Sequence, residues 1–386
     1  MVTELETPAT DAAASRVDVY ARLEDAREDW RELFACADCS AYQHYEFVSS
    51  WLATLGRDRD IEPMIVVARD ERGAPLAVLP LATRKVFGLR IAEFLGGRES
   101  NFNMPLLRPG ATLDFRSLLL HAAQAREEAP DLFHLRSQPR SFFCGENPLA
   151  HVAAFPSPSF AYGVRLPADQ ESLERRFSKR ARKKLRHKER RLADLGDIRY
   201  EHRPQKERVR TILSALIAQK AARLSSMGVG DAGGFRSLRM AEFLTRLSDL
   251  ELLETHALSV SGRIVAAYIG LPRAGRFSTL ANSFDMTGDV ARRSPGELLL
   301  HALLRDCVER GFTAFDLGVG EASYKDAVCE ETIELYDSLL PVTPRGALAA
   351  PLLRAALLAK RFVKQTPLIA NIVARARRLS RAKSEC

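Results

Sequence analysis

The sequence predicts an α+β protein made of two similar halves, each carrying helices, a meander of strands, a further helix and a returning strand. Three observations lead there. The 386 residues exceed the ~100–200 usual for one domain. Apolar runs of strand length and stretches of helical spacing recur in the same order twice along the chain. Between the two series, residues 144–158 hold three prolines and little periodicity, which marks a boundary.

Residues 1–15 read as a disordered tail. Helical spacing covers 17–36 and 45–55. Short apolar runs follow at 63–69, 75–83, 90–95 and 104–107, and Asp70–Glu71–Arg72–Gly73 supplies turn chemistry for a hairpin between the first two. A helix fits 113–125 and a strand 132–136, which completes a first domain over 16–155. The second, 156–345, opens with a strand at 162–166 and a strongly basic helix. A strand at 198–202 and a helix at 205–224 come next. The loop 225–234 leads to a helix at 235–247. A hairpin at 255–260 and 263–271 turns on Ser261–Gly262, and 276–282 extends the sheet. The helix 295–310, the strand 312–317 and a short helix from about 323 finish it, leaving 346–386 as a basic amphipathic tail.

Composition narrows the classes. With 46% apolar and 27% charged residues the chain is globular. No apolar run approaches the ~20 residues of a membrane span, and residues 1–14 are acidic and polar, without the pattern of a secretory leader. These features exclude collagens, membrane transporters and disulfide scaffolds, and place the chain in the cytoplasm. Cys36 and Cys39 have CxxC spacing, but no second pair or HxxxH follows and the eight histidines form no HExxH, so no metal is expected.

The net charge of +8 is uneven. Between Glu174 and Arg191 stand eleven Lys/Arg and two acids, and between Pro351 and Cys386 nine Lys/Arg and one Glu, so the remainder is acidic. In the first segment Leu173, Phe177, Ala181 and Leu185 recur every fourth residue, a narrow apolar helix stripe surrounded by cations, and Gly196 ends it. Helix 174–191 and tail 351–386 fit RNA or an anionic membrane surface, the tail at its inner face; packing against the acidic body is the plain alternative.

Two glycine patterns carry little. Gly228-x-Gly230-x-x-Gly233 follows a helix where a dinucleotide fingerprint needs a strand, and Gly318-x-Gly320 lacks the third glycine. Arg292–Leu298 says more. Ser294 as N-cap, Pro295 at the first helical position and Glu297 at the third are three agreeing helix-start signals. Gly296 removes side-chain bulk where free amides can hold a pyrophosphate, and Arg293 adds a cation there. Capping alone also explains the pattern. The helix buries Leu299, Leu300, Leu303, Leu304, Cys307 and Val308, and Gly311 stops it.

Strand, Arg293–Ser294–Pro295–Gly296–Glu297–Leu298 helix, then Phe315–Asp316–Leu317–Gly318 resembles the GCN5-related N-acetyltransferase (GNAT) core with its [QR]xxGx[GA] motif. Leu298 departs from the motif's small residue. Trp51–Leu52–Ala53–Thr54, Phe94–Leu95–Gly96–Gly97 before Asn101, Phe177–Ser178–Lys179–Arg180 and Tyr324–Lys325 make the order similar to the CelD-type acetyltransferases of bacterial cellulose biosynthesis, and distantly to Fem-type aminoacyltransferases. The resemblance implies two tandem GNAT-like domains, each a mixed central sheet flanked by helices, with the second active. It implies acyl transfer from acetyl-coenzyme A to an amine or hydroxyl of an unidentified small molecule, sugar or lipid, in exopolysaccharide or envelope synthesis. Arg293 and the amides of Gly296–Leu298 would hold the pyrophosphate, with Ser294, Pro295 and Glu297 shaping that turn. The edge of 276–282 would pair with the pantetheine, and strands splayed at Asn282 and Asp316 would open the acyl pocket. Tyr324 could protonate the thiolate or serve the core. Asp316 could take the acceptor's proton or bond backbone, and Lys325 could meet a phosphate or stand in solvent. Aminoacyl-tRNA as donor, or an inactive binding module, are the alternatives.

Overall fold

The computed structural model describes residues 14–57, 59–143, 145–229, 234–320, 329 and 331–366. They divide into two compact units, one from the chain up to Pro158 with Glu334–Lys360, the other from Ser159–Ile333 and the chain from Arg361. Elements are numbered in chain order.

In the first unit the strands are β1 (Arg16–Tyr20), β2 (Glu62–Arg69), β3 (Pro75–Val86), β4 (Leu89–Phe94), β5 (Leu106–Leu107), β6 (Leu132–Pro139), the small pair β7 (Ser141–Phe142) and β8 (Gly145–Glu146), and β9 (Ala154–Pro156). Helices α1 (Arg27–Cys36), α2 (Tyr45–Ala53) and α3 (Phe115–Gln124) accompany them. Strand β1 corrects the expected helix over 17–36. Val17, Tyr20 and Leu23 have helical spacing, but Val17 and Val19 alternate with polar residues, and the segment pairs antiparallel with β2 from Arg16↔Arg69 to Tyr20↔Ile65. Strand pairing satisfies every second backbone group there before α1 begins. Asp114 caps α3 by accepting from the amides of Arg116 and Ser117.

The second unit holds β10 (Ala161–Arg165), α4 (Gln170–Arg176), α5 (Lys179–Ala193), β11 (Ile198–His202), α6 (Lys206–Ser226), α7 (Leu238–Asp249), β12 (Glu254–Val260), β13 (Arg263–Arg273), β14 (Arg276–Phe284), α8 (Gly288–Ala291), α9 (Pro295–Glu309), β15 (Ala314–Val319) and β16 (Glu331–Ile333). Its sheet runs β11-β12-β13-β14-β15-β10-β16, antiparallel except between β14 and β15. Helix α9 buries Leu298, Leu299, Leu300, Leu303, Leu304, Cys307 and Val308 against Phe277, Phe315 and Leu317, as its apolar spacing requires, and Gly311 (φ 74°) follows its C-cap.

The chain then returns to the first unit as β17 (Leu335–Pro341) and α10 (Pro344–Gln365). The assignment of 156–345 to one domain is corrected here. Leu335–Pro341 pairs antiparallel with β6 and β9 and completes the order β1-β2-β3-β4-β6-β17-β9, with β5 beside β3. Asp337, buried there, accepts from the Ser137 amide at 3.0 Å and from Ser157 Oγ. These partners lie 200 and 180 residues away, beyond the reach of local pattern. The expected tail begins inside α10, which runs to Gln365. Its Ala349, Ala350, Leu353 and Leu357 pack on a cluster of Ile91, Leu132, Phe155 and Leu339. No helix among the described residues is long and apolar enough to cross a membrane. The short helix expected from about 323 lies outside the described residues.

The two sheets share a plan. A three-strand meander (β2-β3-β4, β12-β13-β14) is followed by a crossing helix (α3, α9) and by a strand parallel to the last meander strand (β6, β15). Both sheets are mixed and flanked by helices, as expected.

Candidate functional site

In the second unit the parallel contact is brief. Strands β14 and β15 pair only from Arg276↔Ala314 to Ser278↔Asp316, and past Ser278 no described strand joins β14 on that side. One residue later β14 bulges. Gly270 pairs with Thr279 and Ile269 with Ala281, so Leu280 is unmatched and side-chain parity flips. Phe277 packs in the α9-side core before the bulge, and Phe284 packs against the same core after it. Ser283, on the other face, donates to Gln219 of α6 at 2.8 Å.

That flip places Asn282 and Phe284 in the wall of a cavity of about 470 Å³. The apolar wall comes from Leu173, Phe177 and Leu185 beside Phe284 and Leu300. Polar groups come from Arg182 and Lys184 of α5, Glu297 and Arg305 of α9, and Asn282, whose amide donates to Tyr268 Oη at 3.1 Å. A second cavity of about 550 Å³ shares Glu174, Arg182, Leu185, His301 and Arg305 with the first, so a groove follows α5 and α9. The single basic helix expected over 174–191 is corrected to two: Leu173 lies on α4, Phe177 is extended between the helices, and Ala181 and Leu185 lie on α5, so the expected stripe spans both and also lines a cavity. Ser178 caps α5 by accepting from the Ala181 amide.

The start of α9 differs from its sequence reading. Ser294 sits in the left-handed region (φ 53°, ψ 55°) and its side chain makes no capping bond. Its carbonyl instead accepts from the amides of Glu297 (3.1 Å) and Leu298 (3.3 Å). Pro295 has no N–H, so the Gly296 amide is the one in this first turn without a partner among the described residues. A Cβ on Gly296 would stand 3.3 Å from the Phe284 ring. The expected three-amide cradle is thus reduced to one.

The other site residues are distributed as follows. Ser294, Gly296, Glu297 and Asn282 line the cavity together. Leu298 is a core residue and Pro295 is buried. Arg293 is nearly buried and donates to the carbonyls of Arg191 (2.5 Å) and Asp289 (2.6 Å), tying α5 to α9 rather than standing free for a phosphate. Glu297 forms an ion pair with Lys188, which offsets a carboxylate beside a helix N-terminus otherwise suited to anions. Asp316 is fully buried, bonded by Arg276 Nη1 (2.6 Å) and Ser278 Oγ (3.0 Å). Burial pushes its carboxyl up while Arg276 and Ser278 pull it down, and the group locks the vertex where the strands part. Tyr324 and Lys325 lie outside the described residues.

His301, which the sequence reading did not single out, lines both cavities and sits 4.6 Å from the Phe177 ring. Burial lowers its imidazole to about 4, so it is neutral at pH 7. His202, His256 and Asp306 hold ligand-type atoms within 4.8 Å of one another. Arg203, just past β11, bonds both oxygens of Asp306 on α9, and the two imidazole Nδ1 atoms lie 2.9 Å apart, joining β11 to β12.

A parallel strand pair splays after three residues, and the crossing helix starts beside the gap. Residues 179–326 match the acetyltransferase (GNAT) domain. The match covers α5 through β15, while Leu173, Glu174 and Phe177 of the cavity wall lie before it. No curated protein matches the chain in sequence. Among solved structures, a conserved protein of unknown function from Bacteroides thetaiotaomicron VPI-5482 is similar at 14% identity and TM-score 0.54, over 84% of this chain and 100% of that one. The C-terminal domain of a putative lysylphosphatidylglycerol synthetase from Agrobacterium fabrum is similar at 14% identity and TM-score 0.52, over 87% and 96%. A tandem GNAT protein from the clavulanic acid biosynthesis pathway aligns at 12% identity and TM-score 0.47, over 85% and 99%. The first two likenesses concern fold alone. The stretch that matches the GNAT domain lies inside the second unit of an α+β chain whose two mixed sheets share one plan.

Proposed function

We propose that the chain is an acyl-coenzyme A-dependent N- or O-acyltransferase of the CelD type, taking acetyl groups to a small-molecule, sugar or lipid acceptor in cell-envelope polysaccharide synthesis. The observation that supports it is the gap between β14 and β15 beside the unpaired Gly296 amide. The residues present fit coenzyme A. The Gly296 amide with Arg182 and Lys184 offers a phosphate one N–H donor and two cations, and the gap where β14 and β15 part beyond Ser278 leaves room for an amide-bearing arm. Coenzyme A supplies the activated thioester.

The protein's own part is positioning and proton handling. The apolar wall excludes water from the acyl carbon. The acceptor's nitrogen or oxygen would bond to the acyl carbon as the C–S bond breaks, its own proton passing to solvent while the departing thiolate takes one from the protein. Tyr324, a few residues past β15 in sequence, is the proposed donor. Asp316 is assigned to holding the splay open. Lys325 is the proposed partner of a phosphate.

The test is calorimetric titration of acetyl-coenzyme A into the intact protein and into Gly296→Trp. Saturable binding that the variant loses supports the reading, and no binding by the intact protein removes it. A second reading, aminoacyl-tRNA as donor, has one observation in its favour: exposed Lys179, Arg180, Lys183, Arg186, Arg190 and Arg191 continue from the cavity's cations along α5. It predicts RNA binding that weakens steeply with salt.

A further inference from the structure

The first unit has a splay of its own. Strands β4 and β6 run parallel only through Ile91↔Leu132 and Ala92↔Phe133, then part. A cavity of about 460 Å³ is lined there by the end of β4 and the turn after it (Glu93 to Arg98), by Arg136 of β6, by Arg84 of β3, and by Arg59 and Trp51. Its charge is lopsided: four guanidiniums face one carboxylate in the lining.

That carboxylate is already committed. Burial would raise Glu93, but Arg84 bonds it through Nε (2.6 Å) and Nη2 (3.1 Å), and Arg136 stands 3.7 Å away, so the group is held below its ordinary range and stays ionised. Glu99, next in the turn, accepts from Trp51 Nε1 at 2.9 Å. Arg59 lies over the Trp51 ring at 5.6 Å, and Arg98 makes no hydrogen bond or ion pair among the described residues. Cations converging on a concave site without matching acids repel one another and favour an anion between them.

The backbone adds donors. Gly96 (φ 99°) and Gly97 (φ 60°) are both left-handed, and a Cβ on Gly97 would stand 2.5 Å from Trp51 Cζ2, so only glycine closes this turn. The amides of Glu99 and Ser100 bond the Gly96 carbonyl, while those of Gly97 and Arg98 have no partner among the described residues. Free amides beside planar guanidinium forks match the oxygens of a phosphate group, and a cavity of this size takes a nucleotide-sized molecule.

We infer that this cleft binds a phosphorylated small molecule, with a phosphate or diphosphate held by Arg98, Arg136 and the amides of Gly97 and Arg98. The inference stands on the first unit alone and does not need the second unit to use coenzyme A.

Inorganic pyrophosphate titrated calorimetrically into full-length Gly296→Trp, whose second-unit site is blocked, tests it. The expected result is saturable binding of about one pyrophosphate per chain. In the same background it should weaken at least tenfold on adding Arg98→Gln or Arg136→Gln, and weaken as salt rises. Arg98→Gln breaks no described contact, so its melting temperature should match that of its parent and tie any lost heat to the site. Absence of saturable heat, or binding that survives both arginine substitutions, overturns the inference.

Discussion

Ser278 and Asp316 are the last pair joining β14 to β15, and the Ser278 hydroxyl donates to Asp316 at 3.0 Å while Arg276 closes on the same carboxylate from the other side. The bonds that end the pairing also pin the vertex from which the cavity strand departs. Asp316→Ala leaves the Arg276 guanidinium half-partnered in a nearly buried place and should cost about 3 kcal/mol in urea unfolding. Asp316→Asn should cost less, because it keeps an acceptor for Ser278. For a positioning residue, activity in Asp316→Asn should fall less than tenfold with no change in the pH profile.

Gly296 separates space from stability. An Ala there brings a methyl within 3.3 Å of Phe284, whose ring can give by a few tenths of an ångström, and Ala favours the helix. Stability should stay within ~1 kcal/mol of the parent in denaturant titration. Acetyl-coenzyme A binding should weaken several-fold as the ring moves into the cavity. Gly296→Trp should abolish it.

The Lys188–Glu297 pair makes an opposite prediction. Glu297→Gln removes a carboxylate from the first turn of α9 and frees Lys188. The helix should lose roughly 0.5 kcal/mol of dipole stabilisation. Anionic ligands should bind the second unit several-fold more tightly, measured by the same calorimetry. Equal or weaker binding would show that the α9 N-terminus does not meet the ligand's charge.

His301 carries a pH signature. Its folded value is about 4, against 6.5 for an ordinary imidazole, with burial the main cause. Between these values the unfolded chain takes up a proton that the folded chain refuses. Stability therefore falls as pH drops from about 6.5 to about 4 and levels off below. Burial lowers His202 and His256 as well, in the same sense. Replacing His301 with Gln should remove roughly 3 kcal/mol of pH-dependent change in unfolding free energy across that window, since one pKa unit is worth about 1.4 kcal/mol.

At Gly346, in the first turn of α10, a Cβ would fall 1.8 Å from the carbonyl oxygen of Asp131, which is backbone and cannot swing aside. Asp131 also bonds Thr343 Oγ1 at 2.6 Å, fastening the helix start to the first sheet. Gly346→Ala should therefore undock α10 and lower the melting temperature by several degrees, visible as early protease cleavage within 344–365.

Much of this molecule is written locally. The meanders of both sheets follow from apolar runs separated by turn residues, and α9 from its period and its terminal Gly311. The acidic body with two basic segments is plain composition. Segment, charge and helix face are short-range properties, and a stretch of ten residues specifies them. The glycine at 296 and the run of cations were legible for the same reason, whereas the break at Phe177 that divides α4 from α5 was not.

What only the tertiary structure decided depends on partners far apart in the chain. Arg293 reads as a free cation at a helix start, yet two carbonyls, one of them on α5, claim its guanidinium. Asp316 reads as an available base, yet Arg276 and Ser278 of the neighbouring strand absorb it. Leu335–Pro341 reads as the end of the second domain, yet its hydrogen bonds lie in the first, beside β6 and β9. The arginine-lined cleft gathers side chains from three strands, two turns and helix α2 that no sequence window contains. Each outcome turns on which distant group satisfies a polar atom, and a buried polar atom takes its partner wherever the fold supplies one.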